Sequence, residues 1–218
     1  IFGISIIQIN SVLDTVIAIQ MVPGEEAVSL LYYGNRLMQF PLAVIGIAMA
    51  VAVFPKLSRI AANQKAEQVA QTMQEAMRST FFVALPATVG LIILGDTLIE
   101  FLFDHGTFKE NPGAALRCTV VVAAYGFGVW AHCLLQIVLR AFYSLEDTAT
   151  PFKISACMVF LNLLLNLVLV GLWEEAGLAL ATSLTGLVNL AIMIRVFYKS
   201  HCQTKPRAAR QSSITYIL

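Results

Sequence analysis

Ionisable side chains inside apolar runs are the residues of this chain whose types point most directly to chemistry. Arg36 lies just before the apolar run 41–54, and Asp14 is the only acid in the apolar run 1–21. A charge at membrane depth is costly, so a residue that carries one there is functional by default. A lone carboxylate at that depth also needs a cation, a proton or a hydrogen-bond donor. For Arg36 the alternative is a side chain that snorkels from the outer end of its helix.

Amide, hydroxyl and imidazole groups occur in three further apolar runs. Asn162 and Asn166 are four residues apart and therefore share one face of a helix, and Thr182 lies early in the next run. Such groups can form hydrogen bonds that hold membrane helices together. His132 is interpreted as a packed, hydrogen-bonded histidine, with a proton relay as the alternative.

The elements that must position these side chains are predicted to be membrane helices. Of the 218 residues, 58% are apolar and only 12% are charged, whereas soluble domains carry about twice that charge. A membrane helix needs about 20 mostly apolar residues, and the alternating pattern of a membrane barrel is absent from the sequence. We therefore predict an all-α polytopic membrane protein in which six transmembrane helices form one bundle. The predicted spans are 1–21, 30–54, 80–103, 115–142, 152–173 and 177–198.

The distribution of basic residues predicts the orientation of these spans, because short basic loops stay in the cytoplasm. Three basic residues fall on one side of the predicted membrane: Arg36, Lys109 and Arg117. The other eleven fall on the opposite side: Lys56, Arg59, Lys65, Arg78, Arg140, Lys153, Arg195, Lys199, Lys205, Arg207 and Arg210. The second side is predicted to be cytoplasmic.

Two polar segments lie outside the predicted spans. Residues 56–78 carry apolar side chains at near-helical spacing and are predicted to form an interfacial helix. Residues 201–218 are predicted to be a basic cytoplasmic linker followed by the start of a further helix. The chain begins inside an apolar run with neither a charged leader nor an initiator methionine, so we expect it to be a piece of a longer protein.

Composition and spacing argue against several classes of function. A net charge of +1 does not provide the concentrated basic face that binds nucleic acid, so no such partner is expected. A membrane enzyme would need a nucleophile–base pair or a metal motif such as His-Glu-x-x-His, and the sequence offers neither. Four cysteines are scattered singly and are predicted to be small buried thiols without a zinc or redox role: Cys118, Cys133, Cys157 and Cys202.

Acidic residues at the predicted outer end could suggest a metal face. Asp96, Glu100 and Asp104 are spaced four residues apart, and His105 follows directly. Their place at the end of a span favours a solvated helix face, so no metal site is firmly predicted. The acidic pair 174–175 falls in a short outer turn, where acidic residues are ordinary.

Two segments carry a resemblance to a known family. The first is Leu-Tyr-Tyr-Gly-Asn-Arg-Leu-Met-Gln-Phe-Pro at 31–41, followed by Val-Ile-Gly-Ile-Ala at 44–48 and Phe-Pro-Lys-Leu-Ser at 54–58. The second is Ala-Phe-Tyr-Ser-Leu-Glu-Asp-Thr-Ala-Thr-Pro-Phe-Lys at 141–153. In type, order and separation they resemble the lipid II flippases of bacterial cell-wall synthesis, the MurJ or MviN family of the multidrug/oligosaccharidyl-lipid/polysaccharide exporter superfamily.

The resemblance implies a transporter rather than an enzyme. The chain would be the second lobe of a fourteen-helix flippase of the bacterial inner membrane, its seventh to twelfth spans. By alternating access, such a protein moves undecaprenyl-pyrophosphate-linked peptidoglycan precursor, lipid II, from the inner to the outer leaflet. The implied partners are lipid II, membrane lipids and the missing N-terminal six-helix bundle. A sibling exporter of polyprenyl-linked polysaccharide units or of drugs would share this fold and stays as the alternative.

The same resemblance assigns substrate-binding roles to residues of the first segment. Arg36 matches the family's functional arginine and is implied to bind the substrate pyrophosphate through charge-assisted hydrogen bonds. Asn35 and Gln39 flank it at positions where some relatives carry acids, which leaves the guanidinium freer for an anion.

An ion site is implied by the match to family members that bind sodium. Asp14, Asn162, Asn166 and Thr182 match that site, and oxygen ligands suit such a hard cation. Asn166 stands where the sodium-binding pattern has a carboxylate, which leaves one negative charge instead of two. No cofactor is expected, and sodium or proton coupling stands beside the alternative that these groups only hold helices together.

Overall fold

All regular structure in the described part of the chain is helical. In a computed structural model, the structure describes residues 2–22, 27–103 and 113–202. The α-helices are α1 (Phe2–Met21), α2 (Ala27–Pro41), α3 (Ala48–Ala62), α4 (Ala66–Phe103), α5 (Ala114–Gly126), α6 (Val129–Ser144) and α7 (Ala149–Phe197). The predicted all-α class is confirmed.

A π-helical segment, Leu42–Ile47, joins α2 and α3 into one continuous rod. Pro41 lacks a backbone N–H and so cannot maintain the regular α-helical hydrogen bonds at this point. The rod lies close to α6 here, since a Cβ atom added to Gly46 would be 2.8 Å from the Cα atom of Cys133. The Cys133 thiol also lies 4.0 Å from the carbonyl oxygen of Pro41. Single π-helical turns of this kind are frequent at functional sites.

The α5–α6 rod is interrupted at Phe127 and Gly128. The Gly128 N–H donates to the Tyr125 carbonyl oxygen at 3.0 Å, so the Ala124 carbonyl loses its usual helical donor. The Ser183 hydroxyl of α7 compensates by donating to the Ala124 oxygen at 2.6 Å, and it also lies 3.2 Å from the Tyr125 oxygen. Inside a membrane every backbone polar group needs such a partner from the protein. Gly128 lets α7 come this close, because a Cβ atom there would be 2.8 Å from the Cα atom of Ser183.

Helix α7 folds back on itself. Its backbone leaves helical geometry at Trp173 (φ −134°, ψ 19°) and Glu174 (φ 48°, ψ −128°). The amide nitrogen of Asn162 is 3.3 Å from the Thr185 hydroxyl, whereas 23 residues of uninterrupted helix would separate them by about 34 Å. A Cβ atom added to Gly177 would clash with the backbone of the preceding part. The two parts of α7 therefore form a tight helical hairpin.

The buried apolar side chains form two clusters along the bundle. The cluster towards the predicted outer end joins α1, α2, α4, α5, α7 and the start of α6, and it includes Ile17, Leu30, Ile99, Val121 and Leu178. The cluster towards the predicted cytoplasmic end joins α3, α4, α6 and α7 and includes Leu57, Met73, Ile137, Phe142 and Phe197. Trp130 packs against both clusters.

Four stretches are each long and apolar enough to cross a membrane: Ala27–Ala62, Ala66–Phe103, Ala114–Ser144 and Ala149–His201. The last of these contains the α7 hairpin, and α1 contributes a shorter apolar helix, Val12–Met21, within the described residues. Large apolar side chains such as Phe82, Phe101 and Ile93 are mostly exposed, as expected for helices that face lipid. The polytopic class is confirmed, and the count of six spans and the orientation stay predictions.

The predicted interfacial helix over 56–78 does not form a separate element. Residues 56–62 end α3, residues 66–78 begin α4, and the chain turns between them where Gln64 has a φ of 57°. The apolar positions that suggested a membrane-surface face, Leu57, Val69 and Met73, are instead buried in the bundle. A helix face has the same spacing whether it packs on lipid or on protein. Of the predicted linker, 203–218 lies outside the described residues.

Candidate functional site

Four polar side chains lie one or two helical turns apart on α2. Tyr32, Arg36 and Gln39 are exposed in the described part of the chain, and Asn35 is partly buried. Their spacing of three and four residues places them along one side of the helix, whereas Gly34 is buried with Val121 of α5 beside it. Helix α2 thus packs one face into the bundle and presents a polar strip on the other.

The Arg36 guanidinium is held by a single neutral oxygen. Its Nε donates to the Tyr32 hydroxyl oxygen at 3.1 Å, and its Nη2 donates to the same oxygen at 2.9 Å. The centre of the guanidinium is 5.0 Å from the centre of the Tyr32 ring. Within the described residues no carboxylate lies within 4.0 Å of this guanidinium. Its positive charge is therefore not neutralised by a neighbouring acid there.

The two amides beside Arg36 interact with each other. Gln39 donates from its side-chain nitrogen to the Asn35 oxygen. Asn35 is partly buried against the bundle, and Gln39 extends the exposed polar strip. The structure brings these three predicted substrate-binding residues together on one side of α2.

Three of the four predicted ion-site residues form one hydrogen-bonded chain. Asn166 donates from its side-chain nitrogen to Asp14 of α1 at 2.6 Å and to Asn162 at 3.0 Å. Asn162 donates in turn to the hydroxyl oxygen of Thr185 at 3.3 Å. The chain links α1 to both parts of the α7 hairpin. Thr182, the fourth predicted residue, donates instead to the carbonyl oxygen of Leu178 one turn earlier at 3.2 Å.

Asn166 has a buried oxygen that could contribute to a cation site. Both Asn162 and Asn166 are buried, and the Asn166 side-chain oxygen accepts no hydrogen bond from the described residues. An unsatisfied buried acceptor is uncommon. Together with the Asp14 carboxylate it supplies the hard oxygen donors that sodium prefers. The donor set therefore fits a monovalent cation, while the hydrogen bonds alone would also hold the helices together.

The structure shows an ion pair that sequence reasoning missed at the turn of the α7 hairpin. Arg117 of α5 donates to both carboxylate oxygens of Glu175, at 2.7 Å and 2.9 Å, and lies 3.7 Å from Glu174. The Glu175 side chain is only 5% exposed. The sequence predicts only that the acids 174–175 lie in a short outer turn, where acidic residues are ordinary. The pairing signal is weak in sequence, because 58 residues separate Arg117 from Glu175.

Two further polar positions considered in the sequence, His132 and Asp96, have hydrogen-bond partners in the structure. His132 contacts the carbonyl oxygen of Gly128 through Nδ1 at 2.9 Å, and Gly186 leaves room for its ring, which agrees with a packed histidine. Asp96 accepts a hydrogen bond from the Thr119 hydroxyl at 3.0 Å. Glu100 of the suggested acidic face is exposed on α4, and 104 and 105 lie outside the described part of the chain. Of the predicted buried thiols, Cys118 and Cys133 are buried, whereas Cys157 is exposed.

Fold and site together define a polytopic helical membrane protein with an exposed guanidinium on one membrane-length helical rod and a buried chain of hydrogen-bonded polar side chains. A sequence model described as lipid II flippase MurJ matches residues 1–217. The chain belongs to this family, and the predicted resemblance is confirmed. It is accordingly a multi-pass protein of the bacterial inner membrane.

Relatives and a solved structure agree with this assignment. The chain is 32% identical to a probable lipid II flippase MurJ of Vibrio cholerae over 89% of its own length and 36% of that protein. It is 31% identical to a probable lipid II flippase MurJ of Haemophilus influenzae over 91% of its own length and 39% of that protein. A solved lipid II flippase MurJ in an inward closed conformation superposes with a TM-score of 0.78 at 25% identity, covering 89% of this chain and 40% of that one. The chain thus spans about two fifths of the length of these proteins.

Proposed function

We propose that this chain forms one lobe of a transporter that moves lipid II from the inner to the outer leaflet of the bacterial inner membrane. The rest of the transporter would be supplied by a six-helix bundle that precedes this chain, with membrane lipid around both lobes. The substrate path would lie between the two lobes and open alternately to either side. The proposal rests on membership of the family and on the geometry of Arg36.

The observation that carries the proposal is the exposed charge of Arg36, which no carboxylate among the described residues offsets. A guanidinium directed at lipid tails would be costly, so we place the polar strip of α2 on the side that faces the missing lobe. A pyrophosphate group carries negative oxygens that can accept several N–H groups of one guanidinium. The proposed role of Arg36, assisted by Asn35 and Gln39, is to bind that group inside the transport cavity.

Complementation tests the proposed substrate. The full-length parent protein is expected to rescue bacteria depleted of their own lipid II flippase and to restore the arrival of lipid II at the outer leaflet. Lipid II on the outer face can be measured by its accessibility to an enzyme that acts only there. If the parent protein reaches the membrane but neither growth nor outer-leaflet lipid II recovers, the chain serves a sibling exporter with another polyprenyl-linked sugar or a drug as cargo.

We further propose that the hydrogen-bonded side chains of Asp14, Asn166 and Asn162 couple transport to sodium or to protons. Asp14 would supply the negative charge, and the unpartnered Asn166 oxygen would supply a second ligand. The site joins α1 to the α7 hairpin, so occupation of the site would change how these helices pack together. Asn166 lowers the charge of the site relative to a two-carboxylate site, which favours weak binding of a single monovalent cation.

Replacing Asp14 with asparagine is expected to remove the ion dependence of flipping. In proteoliposomes of the parent protein, wild-type flipping should fall when sodium is exchanged for a large organic cation or when the proton gradient is collapsed. Asp14→Asn should flip slowly and equally in all these conditions. Asn166→Asp is the matched gain-of-charge variant and should lower the half-saturating sodium concentration by roughly tenfold, equivalent to one added ionic contact of about 1.4 kcal/mol.

Wild-type flipping that is indifferent to sodium, to the proton gradient and to membrane potential would remove the coupling proposal. The hydrogen bonds would then act only between helices, where each contributes about 0.6 kcal/mol on average in a membrane.

A further inference from the structure

Tyr32 is the side chain that fixes the position of the Arg36 guanidinium. The two residues are one helical turn apart on α2, and the phenol oxygen accepts both Nε–H and one Nη2–H of the guanidinium. Two donors converging on one acceptor restrict both the position and the rotation of the guanidinium plane. A flexible arginine on an exposed helix face would otherwise sample many rotamers.

The donors that remain after this interaction define an anion site. A guanidinium has five N–H groups, and Tyr32 occupies two of them, so three stay available on Nη1 and Nη2. The phenol oxygen uses its lone pairs to accept from Arg36, which leaves its own O–H proton to donate elsewhere. The paired side chains therefore present four donors, three from Arg36 and one from Tyr32, to a group with several acceptor oxygens.

The neutrality of the phenol distinguishes this arginine from Arg117 in the same chain. Arg117 is held by the carboxylates of Glu174 and Glu175, which offset its charge. The phenol restrains Arg36 without offsetting its charge. A restraint of this kind keeps the guanidinium attractive to an anion while lowering the entropy lost on binding.

We propose that Tyr32 is a positioning residue for Arg36. It holds the guanidinium in place for the substrate pyrophosphate, and its own hydroxyl donates a hydrogen bond to the same pyrophosphate. This inference rests on the proposed function, because it assigns a partner to the arginine already placed in the transport cavity. The competing interpretation is that Tyr32 is only an aromatic anchor near the membrane surface. An anchor would act through its ring and would be independent of Arg36.

Tyr32→Phe separates these roles because it removes the phenol oxygen and keeps the ring. The parent protein in lipid nanodiscs should bind lipid II about tenfold more weakly after this change, the size expected for lost hydrogen bonds to a charged group. Its affinity for undecaprenol, which lacks the pyrophosphate, should not change. Tyr33→Phe is the matched control: the Tyr33 ring packs 4.5 Å from that of Phe103, and lipid II affinity should stay within about twofold of wild type.

A double-mutant cycle decides whether Tyr32 acts through Arg36. In the Arg36→Ala background, Tyr32→Phe should weaken lipid II binding by clearly less than tenfold, because only the direct hydrogen bond from the phenol to the pyrophosphate then remains to be lost. An equal tenfold loss in both backgrounds, or wild-type affinity for Tyr32→Phe alone, would overturn the inference. If the Arg36→Ala variant binds lipid II as tightly as wild type, the proposed role of Arg36 in substrate binding is wrong. The positioning role of Tyr32 is then wrong as well, for that separate reason.

Discussion

Replacement of Arg36 with alanine is expected to abolish rescue of flippase-depleted bacteria. The change removes the only charge of the α2 polar strip and the three N–H groups that Tyr32 leaves available. Because the loss of even one hydrogen bond to a charged group costs about 1.5–3 kcal/mol, lipid II affinity should fall by at least roughly 10- to 100-fold. Growth after depletion and lipid II on the outer leaflet are the two measurements, each normalised to the amount of protein in the membrane.

Two variants show whether charge or geometry is lost. Arg36→Lys keeps the charge but not the planar fork, so it should recover only part of the affinity. Arg59→Ala removes an exposed arginine from the last turn of α3, far along the rod from the polar strip. It should rescue growth like wild type. Normal growth and normal lipid II transport in the Arg36→Ala strain would exclude the arginine from the substrate path.

The polar residues of single helices were the part of the site that the sequence predicted best. Arg36 and Asp14 could be recognised because a charged side chain in or beside an apolar run is costly to place in a membrane, whatever the neighbouring helices are. The spacing of Asn162 and Asn166 placed both on one face without knowledge of the neighbouring helices, and the structure joins them to Asp14. Tyr32 was missed although its four-residue spacing from Arg36 was a usable signal.

Contacts that depend on how helices pack could not be predicted in the same way. The sequence groups Thr182 with Asn162 as a possible ion-site residue, whereas the threonine that accepts a hydrogen bond from Asn162 in the structure is Thr185. The choice between them depends on the register of the α7 hairpin, which the non-helical turn at Trp173 and Glu174 determines. Likewise, the apolar face of 56–78 has the same pattern for a membrane surface and for a protein interior, so only packing distinguishes them.

The turn of the α7 hairpin supplies the largest stability effect that we expect. Glu174 adopts a φ of 48°, a left-handed conformation that is unfavourable for a residue other than glycine. Gly177 allows the backbone of the second part to approach that of the first. The bidentate contact from Arg117 to Glu175 fastens this turn to α5. The hairpin that carries Asn162 and Asn166 is thus held at its tip by an ion pair.

Removal of Arg117 should destabilise the protein more than removal of Glu175. Arg117→Ala leaves the Glu175 carboxylate, only 5% exposed, without its cation, and breaking a buried pair in this way costs about 3 kcal/mol or more. Glu175→Ala leaves Arg117, which is 36% exposed and still lies 3.7 Å from Glu174. The remaining charge is therefore partly hydrated and partly paired, and the loss should be roughly half as large.

Thermal denaturation of the parent protein in detergent measures this asymmetry, with the folded fraction followed by size-exclusion chromatography after heating. Glu174→Gln is the matched control, because its carboxylate is 56% exposed and such surface pairs contribute less than about 1 kcal/mol. Adding Glu175→Gln to Arg117→Ala should recover part of the lost stability, because a neutral amide then replaces a buried carboxylate that has lost its cation. Equal losses for the two alanine variants, or no recovery in the double variant, would mean that the pair is a solvated contact. The tip of the hairpin would then be held by the close packing at Gly177 rather than by charge.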